Sequence, residues 1–524
     1  MPDDETPGEP IPESLTPRRR RMGGRSGRIA NRKGPLEAHA RPVRPGQAGG
    51  RYKPLGETDL EQVYNTAICL LEELGMGSPI PEFVQVVTEA GGSLDEHGRL
   101  RFPRGLVEGA IETAAKEWVW HGFDDDKSIM VGGKSVHFGT GGAAILVHEP
   151  STNTFRPSTA QDVYDFARMV DQLDNIHFFV RNVVARDIED PRLLDINTAY
   201  AITTGTTKPV GTSFFDSAHV YESVQLFDTA LGAEGEFRKR PFVVANNTFV
   251  VPPLRFAQES ASCIVAQVET GMPINLLSAG QAGATAPAAL AGSLAQALAE
   301  CLAGLTSINL MSPGHPCVMG LWPFVSDLRT GSMSGGSGEE GVLNAAAAQL
   351  ANWLGLPSGV AAGMTDSKVP DNQSGYEKGL SITLAGHAGA NLVYESAGML
   401  GSLLATSYEA LVIDNDMLGA VNRTVRGIEV NDESLSAGVI RDVVYGEGHF
   451  LGSAQTLELM QTEYVYPEIA DRQTPDDWVD SGAKDSARVA REHADAVLAF
   501  HRPGHVSADA DAAIRERWQI VIER

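Results

Sequence analysis

Two stretches of the 524-residue sequence concentrate side chains able to do chemistry. One is Trp322-Pro323-Phe324 with Ser326-Asp327-Leu328-Arg329-Thr330-Gly331 behind it. The other is Thr365-Asp366-Ser367-Lys368-Val369-Pro370-Asp371-Asn372-Gln373-Ser374-Gly375-Tyr376-Glu377. Each follows an apolar run that reads as a strand. Earlier runs end in Phe214-Phe215-Asp216 and in Asn246-Asn247-Thr248-Phe249. Such ends gather aromatic faces with a few carboxylates and amides. A quaternary or protonated ammonium ion is held by that combination, through cation–π attraction and opposite charge. Taken singly, each aromatic serves as well in a core as in a cage; the joint placement points to the cage.

Standard catalytic devices are missing. The sequence has no GxSxG elbow, no Walker A loop, no HExxH and no GxGxxG that follows a strand and opens a helix. Gly139-Thr140-Gly141-Gly142 and Ser334-Gly335-Gly336-Ser337-Gly338 are glycine-rich, but no Lys assists either, and Glu339-Glu340 follow the second. They read as loops rather than as anion nests. Cys301, Cys317 and His315 are the nearest thing to a zinc set, and buried core cysteines are the commoner reading. No bound metal is expected.

The elements that must position these residues follow from periodicity. Apolar, β-branched runs at 176–184, 209–215, 242–251, 274–278, 317–321, 359–364, 390–394 and 411–413 read as strands. Ala-rich helical windows separate them, near 159–173, 191–204, 217–232, 256–271, 287–310, 339–355, 376–388 and 396–408. Strands apolar on both faces suit a parallel sheet buried on both sides. Eight of them, alternating with helices, predict an α/β fold of the (β/α)8 TIM-barrel type; a doubly wound open sheet stands as the alternative. The expected organisation is a basic Pro/Gly-rich arm at 1–53, a helical and hairpin segment at 54–157, the barrel at 158–425 and a helical extension at 426–524. Within 54–157, Trp118-Val119-Trp120, Ile129-Met130-Val131 and Val136-His137-Phe138 have a hairpin-like look. A barrel keeps its active site at the strand C-termini, where the residues above fall.

Charge is unevenly spread. Residues 1–53 carry twelve Lys and Arg against six Asp and Glu, while the whole chain has a net charge of −25. Acidity on that scale excludes a general nucleic-acid binder. No apolar run of membrane-spanning length and no secretory leader stand out, and the four cysteines form no disulfide framework. A cytoplasmic protein is expected.

The same loops resemble those of the trimethylamine methyltransferase family, the corrinoid-dependent methylamine and betaine methyltransferases. The resemblance is carried by Trp322 to Gly331, Ser334 to Glu339, Met364 to Lys378, Gly448-His449-Phe450-Leu451, and Gly50-Arg51-Tyr52-Lys53-Pro54-Leu55. It extends over roughly residues 50–500. It implies a (β/α)8 barrel with N-terminal and C-terminal helical additions, and transfer of a methyl group from a tertiary or quaternary amine to Co(I). The cobalt would be presented by a separate small corrinoid-binding protein, with no cofactor bound tightly by this chain. The archaeal trimethylamine enzymes use a pyrrolysine in the barrel; this chain has standard residues only. That departure favours a quaternary amine such as glycine betaine over trimethylamine. Displacement at a quaternary nitrogen releases a neutral amine, so no general acid is required. A homo-oligomer is expected.

Site expectations follow. Trp322, Phe324 and Tyr376 are assigned to an ammonium cage, and Asp366 and Glu377 to charge complementarity or loop support. Asn246, Gln373 and His148 are assigned to the polar end of the substrate, for which Arg181 is a further candidate. His148 could equally be a hydrogen-bonded core histidine, Arg181 a structural ion pair, and Asp327 with Arg329 a salt bridge that pins its loop. Two other functions are compatible with the same residues. One is a non-catalytic betaine- or methylamine-binding barrel. The other is an unrelated barrel enzyme using Asp366 and Glu377 as an acid–base pair.

Overall fold

A computed structural model describes residues 53–428, 430–460 and 463–524. The basic arm, apart from Lys53, lies outside the described residues. Eight parallel strands form the centre. They are β1 (His137–Phe138), β2 (Phe179–Val180), β3 (Val210–Thr212), β4 (Val243–Asn247), β5 (Ile274–Ser278), β6 (Cys317–Leu321), β7 (Ser358–Ala361) and β8 (Leu392–Tyr394). From β2 to β8 each strand pairs with its successor, and β8 then pairs with β1. A parallel bridge between Gly139 and Phe178 joins β1 to β2, and His177 N donates to Phe138 O at 2.7 Å. The ring is therefore closed.

One helix follows each strand. These are α1 (Ala160–Asp171), α2 (Pro191–Gly205), α3 (Ser217–Leu231), α4 (Gln258–Thr270), α5 (Leu290–Met311), α6 (Gly338–Trp353), α7 (Asn372–Ala388) and α8 (Tyr408–Arg426). Several begin on a side-chain cap: Asp190 for α2, Asp216 for α3, Ser337 for α6, Asp371 for α7 and Ser407 for α8. Such caps satisfy amide groups that the first turn leaves free.

Seven of the eight strands coincide with runs legible in the sequence, β7 beginning one residue before its run. The eighth does not. The run at 411–413 lies inside α8, and the strand that completes the ring is β1, from the segment expected to form an addition before residue 158. The window at 396–408 is not helical either; it contributes Met399–Leu400 and Ala405–Thr406 to a small sheet with Leu146–Glu149 and Thr154–Pro157.

A column of aromatic rings fills the barrel. Trp120 lies 5.1 Å from Phe178, Phe178 5.1 Å from Tyr394, Tyr394 5.3 Å from Trp322, and Trp322 6.3 Å from Phe324, centroid to centroid. Rings that large need space from neighbouring strands. Gly359 gives it: a Cβ there would stand 3.0 Å from Tyr394 Cε2 and 2.8 Å from Val318 Cγ1. The hairpin of Glu117–Trp120 and Ile129–Gly132 closes the N-terminal end, where Trp120 Nε1 donates to Phe242 O just before β4.

Helix α5 is 22 residues long and apolar on nearly every face, long enough to span a bilayer by length and composition. Its most apolar window is 89% buried inside the protein. The barrel wall covers one side, and the N-terminal helices Glu57–Cys69, Pro81–Glu89 and Arg104–Thr113 cover the other. A helix enclosed all round should read this way. At the opposite end of the chain, Ser486–Phe500 packs on α8 and α1, and Ala508–Arg517 on α3.

Candidate active site

The strand C-termini open on a cavity of about 190 Å³. Its wall is assembled from one or two residues per βα junction. The loop after β1 gives Gly142 and Ala143, β2 is followed by Arg181, β3 by Ser213, and β4 supplies Asn246 and Thr248. Leu277 and Ala279 come from β5 and its loop, Trp322 and Phe324 follow β6, and Glu395 and Leu403 follow β8. The polar groups are few, and they are held by neighbours inside the barrel. Asn275 Nδ2 donates to Asn246 Oδ1 at 3.0 Å, leaving the Asn246 amide nitrogen as its group for the cavity. Arg181 Nη2 donates to Ser213 Oγ at 2.6 Å, while its buried Nη1 has no partner. Burial lowers the Arg181 pKa, and nearby Asp195 opposes that shift.

The apolar side is Trp322 and Phe324, 5% and 9% exposed, which form the top of the aromatic column. Trp322 Nε1 is buried without a partner. A carboxyl group is present as well. Glu395 is fully buried, and burial pushes its pKa up to about 8. The site can thus hold a small cation against an indole face and an anionic group against a guanidinium. Among the described residues, no cluster of three or more His, Cys, Asp or Glu could hold a metal ion.

Three of the residues named from sequence meet at this cavity: Trp322, Phe324 and Asn246. Arg181, the further candidate, joins them. Tyr376 does not. It is 64% exposed on α7, because the helix started by the Asp371 cap turns its next residue, Glu377, inward instead. His148 belongs to the small sheet, where Nε2 meets Asn153 Oδ1 at 3.0 Å and the ring packs on Phe155. Gln373 Nε2 donates to Glu377 Oε1 at 2.9 Å and does not line the cavity. Phe249 is buried in the outer core, and Phe215 is exposed.

Asp366 and Glu377 act as fasteners. Asp366 accepts from Ser334 Oγ (2.7 Å), Gly335 N (2.9 Å) and Ser402 Oγ. It therefore ties the loops after β6, β7 and β8 together. Glu377 accepts from Thr365 Oγ1, Asp366 N and Gln373 Nε2. A Cβ on Gly336 would stand 2.2 Å from Glu377 Oε2, so glycine is required there for the carboxylate to enter. Asp327 and Arg329 form a two-pronged ion pair within one loop, at 2.9 and 3.0 Å, and the guanidinium holds the Asp327 pKa at about 2.

Glu395 was not singled out from sequence. The signal was available: a lone carboxylate directly after the apolar run at 390–394. Gly142 and Leu403 carried no comparable signal.

A closed parallel barrel with a mixed polar and aromatic cavity at the strand C-termini is the plan of a TIM-barrel enzyme. The family described as Trimethylamine methyltransferase (MTTB) matches residues 20–519, and the chain belongs to it. It is a methyltransferase by that membership. It is 30% identical over 460 residues to the trimethylamine methyltransferase MttB of Desulfitobacterium hafniense, covering 88% of this chain and 92% of that one. It is 33% identical to MttB2 of Methanosarcina mazei, covering 86% and 91%. It is 28% identical to the glycine betaine methyltransferase of Desulfitobacterium hafniense, covering 90% and 97%. Among solved structures, the monomethylamine methyltransferase of Methanosarcina barkeri is 15% identical with a TM-score of 0.48, covering 85% of this chain and 89% of that one.

Proposed function

We propose that this chain removes a methyl group from a betaine, a quaternary amine that also carries a carboxylate, and passes it to the cobalt of a separate corrinoid protein. One observation carries the choice of substrate: the guanidinium of Arg181 lines the same small cavity as Trp322 and Phe324, with one nitrogen unpartnered. A trimethylamine site has no use for that group. A betaine does, because its carboxylate can accept a charge-assisted hydrogen bond from Nη1 while its ammonium rests on the indole.

A cavity of about 190 Å³ suits a small amine and is far too small for a corrin ring. The corrinoid would meet the methyl group at the open end of the cavity, carried by its own protein. It supplies the nucleophile. The chain's part is orientation: Arg181 and Asn246 fix the polar end, and Trp322 and Phe324 fix the ammonium, so that one methyl carbon faces the mouth. No proton is needed by the leaving tertiary amine. Asp366 and Glu377 are poor candidates for an acid–base pair, since all four of their oxygens already accept hydrogen bonds. A reducing cytoplasm suits both the four free cysteines and low-valent cobalt.

The test uses purified protein, Co(I) cobalamin and a panel of glycine betaine, proline betaine, carnitine, choline and trimethylamine. Formation of methyl-Co(III) is read by absorbance. Carboxylate-bearing amines are expected to react, and Arg181→Met should lower their kcat/KM by about 10- to 150-fold, the worth of a hydrogen bond between charged groups. A preference for trimethylamine or choline, unchanged by Arg181→Met, refutes the betaine reading. Ligand binding without methyl transfer to either free or protein-bound corrinoid identifies a binding protein instead.

A further inference from the structure

Glu395 stands out among the cavity residues. It follows β8 directly, is fully buried, and has no hydrogen-bond partner on either carboxyl oxygen. Its φ is +61°, in the left-handed region that side chains other than glycine seldom adopt. The neighbouring loops hold it there. A Cβ on Gly363 would stand 2.8 Å from Glu395 O and 2.6 Å from Ser396 Cα, and one on Gly142 would stand 2.9 Å from Glu395 Oε2. Glycines on the loops after β7 and β1 thus make room for one strained, unpaired acid. Unfavourable backbone geometry that is over-determined in this way belongs typically to functional sites.

The ionisable surroundings contain no cation paired with it. From α6 comes Glu340, buried with both oxygens unpartnered, its pKa raised by burial and by the charges of Asp366 and Glu395. Asp366 is occupied by the loop hydrogen bonds already described. Tyr394 from β8 is a buried phenol without a partner, its pKa raised by burial. Arg181, after β2, also lines the cavity and donates to Ser213. The loop after β1 brings only Gly142 and Ala143 to the cavity.

We propose that Glu395 meets the substrate's ammonium group, and that it releases its proton to solvent when the cation enters. This rests on the betaine reading above and extends it to the cationic end. Binding converts carboxylic acid and quaternary ammonium into a carboxylate–ammonium pair plus one proton in solution. Methyl transfer then leaves a neutral tertiary amine, and the carboxylate recovers a proton from solvent. Because ionising a buried acid is unfavourable, the resulting pair holds the cation less tightly than a permanent carboxylate would. That matters for the rate, since the positive charge is lost in the transition state and an over-stabilised ground state would slow it. Glu395 acts here as a substrate-binding residue with a proton switch.

The experiment is titration calorimetry of the whole chain with glycine betaine and with tetramethylammonium chloride, in buffers of different ionisation enthalpy, from pH 6 to pH 9. At pH 7 the wild-type protein is expected to release close to one proton per ligand, falling towards zero at pH 9 as the acid becomes ionised beforehand. Glu395→Gln should bind more weakly, with heats independent of buffer and a flat pH profile. Wild-type binding without proton release at pH 7 overturns the proposal, as does release that persists in a folded Glu395→Gln protein. The wild-type measurement alone decides the matter if the variant does not fold. Absence of binding by any probe refutes the betaine reading itself, and the proposal with it.

Discussion

Replacing Trp322 by leucine separates the two roles the indole plays, packing and cation binding. The ring is 5% exposed and packs, tilted, between Tyr394 at 5.3 Å and Phe324 at 6.3 Å. Leucine keeps an apolar filler but removes the π face. The packing loss should not exceed about 3 kcal/mol, the lower end for deleting a buried aromatic outright. The binding loss has a different size and a different signature. A desolvated cation–π contact is worth about 2 kcal/mol, or about 30-fold in Kd. The comparison that isolates it is glycine betaine against 3,3-dimethylbutanoate, which replaces N(CH3)3 by C(CH3)3 and has no positive charge. Calorimetry should show Trp322→Leu weakening the betaine by about 30-fold and the carbon analogue by no more than about threefold, the worth of less than one buried methylene group. Trp322→Phe should recover most of the difference. A control lies on α6, where Trp353 Nε1 donates to Glu57 and its ring meets Tyr64 at 5.9 Å. Trp353→Leu should leave both affinities unchanged. Equal losses for the two ligands in Trp322→Leu would show that the indole contributes shape alone, and would refute the cage.

Other perturbations test the parts that hold the mouth in place. Gly336→Ala should expel the Glu377 carboxylate, which a Cβ would approach to 2.2 Å, and lower both melting temperature and methyl transfer; Gly375→Ala, where a Cβ meets nothing within 4 Å, should leave activity intact and stability equal or slightly higher. Lys378 Nζ and Asp414 Oδ2 form a buried pair at 2.6 Å, and Asp414 also accepts from Gly398 N. Lys378→Met should cost about 3–5 kcal/mol in urea unfolding by leaving a buried charge unpaired, and the double variant with Asp414→Leu should recover part of it. Glu395 gives a pH dependence of defined sign. Its folded pKa, about 8, lies above the ordinary 4.5, so the folded state holds more protons than the unfolded state between those values, and stability falls as pH rises through that window. Glu395→Gln should therefore melt at nearly the wild-type temperature at pH 4 and increasingly above it towards pH 8. A constant difference across that range would show that the acid is not buried in its neutral form.

The barrel was legible because seven of its strands are apolar on both faces, as β4, β5 and β6 show by being buried at every position. The failure at β1 has the same physical root. It has two residues, His137 and Phe138, in the short stretch Val136-His137-Phe138 that looks like part of a hairpin, and its pairing comes from the geometry of closure rather than from a long apolar run. The run at 411–413, by contrast, is part of α8, where Leu411 and Val412 are buried and Ile413 is half-buried, and a run that short carries no period. At the site, Trp322, Phe324, Asn246 and Arg181 could be found because each sits at or directly after a strand end. Tyr376 misled because it lies in the longest family-like stretch. That stretch owes its composition to the Asp366 and Glu377 fasteners, and a helix turns adjacent side chains about 100° apart.

The fasteners are not spread evenly round the mouth. Asp366 joins the loops after β6, β7 and β8, Glu377 braces the second of these, and Asp414 holds Gly398 in the third. Gly401 N and Ser402 N add donations to Ser367 O and Thr365 O. All of this lies on the side that carries Trp322, Phe324 and Glu395. On the other side, Arg181 is held by one hydrogen bond from its guanidinium, to Ser213. A cross-braced wall resists displacement of what rests on it, whereas the buried Arg181 guanidinium offers a charged donor with one nitrogen unpartnered. Under the betaine reading, the asymmetry has a consequence for catalysis. The methyl carbon must be placed to a fraction of an ångström for in-line attack, and the carboxylate needs only to be neutralised. Bracing therefore stands where displacement of the reacting atom would cost rate.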